Sequence, residues 1–518
     1  VQGMYEAVSR IRHAIARGER MIVHGDFDAD GVTATTVLVT GLHDLGANVA
    51  PYIPHRVDEG YGLNGRAIEK MRQSGVSLMI TVDCGIRAHE EIVLANRLGI
   101  DVVVTDHHSV PAQLPPALAV VNPHQSECTY PHKELAGVGL AWKLVQALWY
   151  AERKTPIASA RPTHHHDELL GLVALGTVAD VAPLVGENRY LVAEGLARLR
   201  QGQRPGLRAL MEVAHVTASE VDSESIGFFL GPRINAAGRL DHAKVAYKLL
   251  RASTMAEGRE YAEMLEFHNR RRRDLTQQAL ARAEAQITDP DGPLLMVADD
   301  ECPEGIVGLV AGRLAERFYR PAIVVSQGPE YSRASCRSIT EVHITHLLDQ
   351  VSDLLVRYGG HAAAAGFTVE TRNLPALQQA LTALAAEQLA RHDELAPTIE
   401  VDAELPLHLI TPDLMTQIDR LAPFGEKNPA PLWMASHVRV MDARPVGSTQ
   451  SHLKLRLRDE RGPAWSAIAF RQGARHATLP PVVDVVFQLK RNDWNGRSRI
   501  DLQVADFRPA QEGAVVRG

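Results

Sequence analysis

Within Val23-His24-Gly25-Asp26-Phe27-Asp28-Ala29-Asp30-Gly31 the chain concentrates three carboxylates and an imidazole. Carboxylates packed this closely repel one another unless a cation, a proton or solvent separates them. A divalent metal ion relieves all of these repulsions together. Two further stretches end in the same chemistry: residues 77–82 run apolar into Asp83, and residues 100–105 into Asp106-His107-His108. A fourth, 169–180, is apolar nearly all round a helical repeat and ends on Asp180, a carboxylate rarely buried without a partner. Oxygen and imidazole donors without thiolates favour Mn2+ or Mg2+ over zinc. A pair of such ions activates water and stabilises the leaving oxygen of an in-line phosphoryl displacement.

These groups need elements to hold them. Residues 20–23 read as a short strand, and 32–45 has helical spacing with Val37, Leu38, Leu42 and Leu45 on one side. The acidic turn therefore sits at the carboxyl end of a strand, where open α/β sheets bind their ligands. The continuous apolar runs 77–82 and 100–105 suit strands buried on both faces, and alternating strand and helix patterns over the first ~250 residues predict a parallel sheet. Residues 256–287 lack proline and place Tyr261, Met264, Leu265, Leu275 and Ala279 at helical spacing. The helix they predict is about 48 Å long, a strut between domains. The arginines at 270–273 run round it, most facing solvent, with one or two available to a nucleic-acid channel. A Pro/Gly turn at 289–293 stops the helix. A smaller α/β unit follows, with strands at 294–298 and 321–326 and a helix at 305–318.

Candidate phosphate-gripping residues lie outside the acidic motifs. Residues 231–240 are rich in glycine and small side chains and carry Asn235 and Arg239; small residues let backbone approach a ligand, and arginine grips phosphate bidentately. A tight helix junction is the alternative reading. Ser335 and Arg337 flank Cys336 and share a direction if that segment is extended. Arg56 follows a strand of the first domain, and His361 closes Gly359-Gly360-His361.

Past a linker at 393–397 and a Pro/Gly-rich stretch at 423–431 the pattern turns to short strands. Residues 453–458 alternate leucine with Lys454, Arg456 and Arg458, and Trp465, Phe470, Phe487 and Trp494 are interspersed. A basic face with aromatics on a small β-barrel suits single-stranded nucleic acid. Between 437 and 508 there are 13 Lys and Arg against 7 Asp and Glu, although the whole chain carries −7. An acidic body with a basic end suits an enzyme acting on a polyanion. The triple histidine at 164–166 has no acidic scaffold and reads as part of a solvated insertion. Cys84, Cys128, Cys302 and Cys336 are scattered, which argues against a zinc ribbon or disulfide framework and fits a reducing cytoplasm. There is no apolar run of membrane length and no signal-peptide pattern. The sequence opens on Val1 rather than Met, so whether a native segment precedes it stays open.

Taken in order, His24 to Gly31, Asp83, Asp106-His107-His108 and Gly176-Thr177-Val178-Ala179-Asp180 resemble the four motifs of the DHH phosphoesterase family, and Gly359-Gly360-His361 resembles the signature of the DHH-associated domain. With residues 231–240, the long helix and a basic β-domain, the chain resembles the branch of that family that degrades single-stranded DNA. The resemblance implies an α/β fold: a parallel-sheet DHH catalytic domain (1–250), a connecting helix (251–290), a smaller α/β DHH-associated domain (291–392) and an OB-like nucleic-acid-binding barrel (393–518). It implies Asp28, Asp30, Asp83, His107 and Asp180 as ligands of two Mn2+ or Mg2+ ions, with Asp83 bridging. His24 stands where related pyrophosphatases place a ligand. It further implies that His108 faces the scissile phosphate and that Asp106 orients His107, and it leaves Asp26 unassigned. The implied activity is 5′→3′ exonucleolytic release of mononucleotides in DNA repair and recombination. The resemblance thus implies action at a 5′ end, and Arg56, Ser335 and Arg337 are expected to form the pocket for its terminal phosphate. The implied setting is a cytoplasmic monomer partnered by single-stranded DNA, a single-strand-binding protein and a helicase. Two rivals remain, a small-nucleotide phosphodiesterase or pyrophosphatase of the same family and a non-catalytic replication scaffold.

Overall fold

The structure, a computed structural model, describes residues 1–56, 58–157, 166–392, 395–494 and 497–510. The side chains of the triple histidine at 164–166, the linker residues 393 and 394, and the Trp494 side chain lie outside the described residues. The chain divides into two compact units, Val1–Pro397 and Thr398–Gly518.

The first unit opens with strands β1 (Arg20–His24), β2 (Val49–Tyr52), β3 (Val76–Val82), β4 (Asp101–Thr105) and β5 (Ala119–Val121). They form an all-parallel sheet in the order β2-β1-β3-β4-β5. From β1 the chain moves outward to β2 and then returns to β3 on the other side. That reversal leaves a crevice between the carboxyl ends of β1 and β3, where doubly wound sheets bind ligands. β4 buries every residue after Asp101, as its apolar run predicts.

The helix Ala29–Asp44 leaves β1 through the acidic turn and is buried from Ala29 to Leu42. Its threonines are tolerated there because Thr33, Thr35, Thr36 and Thr40 each donate a hydroxyl hydrogen bond to the carbonyl four residues back. A Cβ on Gly41 would stand 2.6 Å from the Val145 methyls, so glycine is what lets the helix Gly137–Lys154 pack against it.

The long helix runs Met255–Gln286. Ala262 and Leu265 pack into the core of the first sheet's domain, whereas Ala279 and Ala283 belong to a cluster with Val310, Leu314 and Val324. One helix thus belongs to two cores. The second sheet comprises β6 (Leu295–Asp299), β7 (Ala322–Ser326), β8 (Tyr331–Arg337), β9 (Leu355–Gly360) and β10 (Ala364–Glu370), in the order β6-β7-β8-β10-β9. Only β6 and β7 pair in parallel.

In the second unit, β11 (Ala403–Glu404) lies on β12 (Trp433–Val446), followed by β13 (His452–Arg458), β14 (Trp465–Ala469), β15 (Val482–Trp494) and β16 (Arg497–Pro509). The order β12-β13-β14-β16-β15 closes through β12–β15 pairing into a five-stranded barrel, the OB architecture. Leu453, Leu455 and Leu457 point inward, and Arg456 and Arg458 outward.

Candidate metal centre

The crevice gathers the acidic motifs. Asp30, His107 and Asp180 each present one donor atom within 4.8 Å of the others; so do Asp26, Asp28 and Asp83, and so do Asp83, His107 and His108. Shared membership of Asp83 and His107 makes these sets one continuous donor surface. His107 Nε2 lies 3.1 Å from Asp83 Oδ1 and 3.8 Å from both Asp30 Oδ2 and Asp180 Oδ2. It is buried and makes no hydrogen bond.

Backbone holds the carboxylates in place. Asp30 accepts the Gly137 N–H at 2.6 Å through Oδ2 and the Val138 N–H at 2.8 Å through Oδ1, so it is clamped by the first turn of the helix Gly137–Lys154. Asp28 caps its own helix, accepting the Gly31 N–H at 3.0 Å. Asp83 has φ +60, the left-handed conformation that Asp tolerates better than most residues. Asp180 ends the helix Leu170–Ala179. Gly137 and Gly176 have no room for a side chain: a Cβ would come within 2.8 Å of Asp30 Oδ2 and Asp83 at the first, and 3.0 Å of Asp30 Oδ1 at the second.

Electrostatically the site is incomplete as protein alone. Burial and the neighbouring Asp28 push Asp30 up to about 7. Burial, with Asp30 and Asp28 beside it, pushes Asp180 up to about 9, and burial with the same neighbours drives Asp83 well above the carboxylate range. Burial and Asp28 do the same to Asp26, whose Oδ1 has no partner. Burial pushes His107 down to about 4, so its ring is neutral and fit to ligate. The Cys84 thiol is held protonated by burial and the acids around it, so no thiolate joins the set. Crowded carboxylates, a neutral imidazole with an unbonded nitrogen and no soft donor fit hard divalent cations.

His24 is fully buried with Nε2 unpartnered, its ring 5.1 Å from that of Tyr52, and it belongs to none of the three donor sets. Asp106 differs from expectation. Its Oδ1 meets His108 Nδ1 at 2.7 Å, and its Oδ2 accepts the Ile86 N–H at 2.9 Å. It therefore orients His108 rather than His107, because the turn after β4 returns the second histidine toward the strand end. Burial opposes charge on both partners, yet their mutual hydrogen bond wins, lowering Asp106 and raising His108. The sequence reading missed Tyr61, whose hydroxyl lies 3.4 Å from His108 Nδ1, and the Gly137-Val138 clamp; a glycine pair opening an apolar helix was the available signal.

The phosphate-gripping candidates converge in part. Arg56 lies 4.1 Å from the centroid of the Phe27 ring, with Asp26 and Asp28 in its field. Burial lowers Arg239 to about 10, with Arg56, Arg272 and Arg337 all near enough to add to the shift. Arg337 reaches Ser335 Oγ at 3.1 Å. A Cβ on Gly308 would stand 3.0 Å from that oxygen and 3.1 Å from Arg337 Nη2, so both groups lie against the first turn of the helix Val307–Phe318. His361 lines a cavity of about 460 Å3 together with Tyr61, Asp106 and His108.

Residues 231–240 form a helix in which Asn235 Oδ1 accepts the Ala29 N–H at 2.7 Å. A Cβ on Gly238 would stand 2.4 Å from the Phe27 carbonyl, so the close approach is to the acidic turn itself, not to a ligand. Of the arginines at 270–273, Arg270 pairs with Glu266 at 2.7 Å and Arg272 donates to Asn269 at 3.0 Å.

On the barrel, Lys454, Arg456 and Arg458 share the outer face of β13 and form no ion pair with any described residue. The aromatics divide. Phe487 is core, and Trp465 is half-buried with its indole N–H bonded to the Leu407 carbonyl at 3.0 Å; Phe470 is exposed, edge-on to His452. Strand alternation turned the first two away from any ligand face.

Three family models match: the DHH family N-terminal domain over residues 20–177, the DHHA1 domain over 291–387 and the RecJ OB domain over 401–506. The single-stranded-DNA-specific exonuclease RecJ of Bacillus subtilis is 37% identical over 98% of this chain and 63% of its own. The Salmonella typhimurium RecJ is 35% identical over 98% of this chain and 91% of its own. The crystal structure of RecJ from Thermus thermophilus in complex with Mn2+ superposes with TM-score 0.84 at 34% identity, covering 99% of this chain and 72% of that one. Its Mg2+ complex gives 0.77 at 34%, covering 98% and 70%. On the fold, the donor surface and this similarity over nearly its whole length, the chain belongs to the RecJ family of single-stranded-DNA-specific exonucleases.

Proposed function

We propose that this chain hydrolyses single-stranded DNA from its 5′ end, releasing mononucleotides, with Mn2+ or Mg2+ as cofactor, in DNA repair and recombination. The observation that carries the reading is the joint donor surface of Asp28, Asp30, Asp83, His107 and Asp180, which no hydrogen bond within the protein satisfies at His107. In this reading those five residues would hold two divalent ions, with Asp83 contributing to both and His24 as a further candidate ligand. When bound, the ions supply an activated water and charge stabilisation for the leaving oxygen. The remaining steps belong to the protein. Asp106 fixes His108 by its Nδ1 hydrogen bond, leaving Nε2 to face the scissile phosphate. Asp30 keeps its place through two backbone donors while the charge around it changes. Asn235 holds the acidic turn against the helix Gly231–Leu240.

Arg56, Ser335 and Arg337, backed by Arg239, bind the terminal 5′-phosphate, which carries more charge and more free oxygens than a diester. His361 contacts the strand beside His108. Lys454, Arg456 and Arg458 grip diester phosphates further along the strand through counterion release. A single-strand-binding protein and a helicase supply the substrate, and the enzyme works as a cytoplasmic monomer. No described helix is long and apolar enough to cross a membrane.

End-labelled single- and double-stranded DNA, with 5′-phosphate or 5′-hydroxyl, tested in Mn2+ and in EDTA, checks the reading. Loss of single strands from the 5′ end only with metal is expected. Arg337→Ala should slow the 5′-phosphorylated substrate by about tenfold more than the 5′-hydroxyl one, the scale of a lost charge-assisted bidentate contact. Equal losses on both would place Arg337 on ordinary diesters. Preference for dinucleotides over long strands would favour a small-nucleotide phosphodiesterase.

A further inference from the structure

A second cavity, of about 400 Å3, opens in the catalytic part of the first unit, away from the acidic crevice. Thr40 in its wall lies near the C-terminal end of the helix whose N-terminal end carries Asp28 and Asp30, roughly 15 Å along the helix axis from them. Three arginines converge on this cavity: Arg198, Arg204 and Arg251. Arg251 donates to Thr40 Oγ1 at 3.0 Å, and Arg204 to the Leu250 carbonyl at 3.2 Å. The Arg198 side chain makes no hydrogen bond or ion pair with any described residue. Glu168 is the one acid in the wall among the described residues, and Asp44 lies within range of Arg204. Three cations facing a shared space beside one wall carboxylate is a costly arrangement with nothing between them. Burial, and Arg251 next, pull Arg204 below its ordinary value.

The cavity wall adds neutral donors. Gln203 lines it, with Ser253, whose hydroxyl donates to Glu257 at 3.3 Å, and Leu207, whose backbone N–H lies in the first turn of the helix Pro205–Ala214. That helix has no capping side chain, so its first-turn amides have no side-chain acceptor. Guanidinium forks, an amide and a helix start make the donor set that recognises phosphate oxygens. Leu199, Leu207, Met211 and Leu250 supply an apolar side. The volume falls within the roughly 300–1,000 Å3 of small-molecule sites. We propose that this cavity binds a small phosphate-bearing ligand of mononucleotide size, with Arg198 and Arg251 on the phosphate and the leucine wall against the base.

Calorimetric titration of the full chain in EDTA with dAMP, inorganic phosphate and adenosine tests this, because without metal the acidic crevice repels anions. dAMP should bind more tightly than phosphate, and adenosine should not bind. Arg198→Gln and Arg251→Gln should each weaken dAMP at least about tenfold, the value of a charge-assisted bidentate contact. Arg251→Lys should retain part of the affinity, and Arg391→Gln, at an exposed arginine outside the cavity, should leave it unchanged. Thermal unfolding of each variant reports whether it is folded, and DNA hydrolysis by Arg198→Gln should stay within about twofold of wild type. Absence of dAMP binding, unchanged affinity in the folded Arg198 and Arg251 variants, or binding lost with Arg391 instead would each overturn the proposal. Variants that bind dAMP normally but lose single-stranded DNA would assign the arginines to the polymer.

Discussion

The acidic crevice and the basic barrel face both handle charge, but they do so by opposite means. In the crevice, like charges are buried against one another and pinned by backbone: Asp30 by two amides, Asp28 as a helix cap, Asp83 by a left-handed turn. On the barrel, Lys454, Arg456 and Arg458 project outward at alternate positions of a strand whose other face is leucine. A buried, preorganised donor set loses its function if one member moves by an ångström. An exposed cationic row degrades by increments, since each charge is screened and replaceable. Chemistry is therefore concentrated in one region and grip is distributed over the other.

The sharpest way to break this comparison is Asp83→Ala. It should reduce hydrolysis by at least about a thousandfold, while binding to single strands in EDTA stays near wild type. Activity within a few-fold of wild type would remove Asp83 from the centre. A subtler change tests the backbone frame itself. Gly137→Ala adds only a methyl, yet places it 2.8 Å from Asp30 Oδ2 and from Asp83. A loss of about a hundredfold in kcat with weaker Mn2+ binding is expected, the cost of small displacement in a preorganised site. Wild-type turnover would show that side-chain identity matters and the clamp does not. The smallest effect belongs to the barrel. Converting Lys454, Arg456 and Arg458 together to Ala should make the log–log salt dependence of binding to long strands shallower by about 2, near 0.7 for each lost phosphate contact. Cleavage of short oligonucleotides should persist. An unchanged slope would mean this face is merely solvated.

Much of the site was legible because its residues sit at the ends of strands that announce themselves. The apolar runs before Asp83 and Asp106 needed no partner information, and Leu169 to Asp180 read as a buried helix from its apolar pattern, the helix itself spanning Leu170–Ala179. The long helix matched expectation almost to the residue. What stayed hidden depends on contacts distant in sequence. The Gly137 and Val138 amides reach Asp30 across more than a hundred residues, and the glycine pair opening their helix marks a close approach without naming its partner. Asp106 was paired with the wrong histidine because the turn geometry after β4, not adjacency, selects the partner. Asn235 was read as a contact to phosphate, and its described bond is to the Ala29 amide. Among the barrel aromatics, spacing did not separate Phe487 in the core from Phe470 at the surface, since a register offset of one residue exchanges the two faces.

Mn2+ titration of the metal-free protein, followed by stoichiometry and thermal unfolding from pH 5 to 9, tests the metal centre most directly. Asp30 and Asp180 have folded-state values raised to about 7 and about 9, above the unfolded carboxylate near 4. Their contribution to metal-free stability is full below about pH 4 and is lost as pH rises through those values. Mn2+ competes with the same protons, so its stabilising shift should grow across that window, by several degrees. Wild type should bind two Mn2+ per chain with this rising shift, and Asp83→Ala should lose both the stoichiometry and the pH dependence. Full Mn2+ stoichiometry in Asp83→Ala, or a shift that shrinks as pH rises, would contradict a metal centre built on these carboxylates.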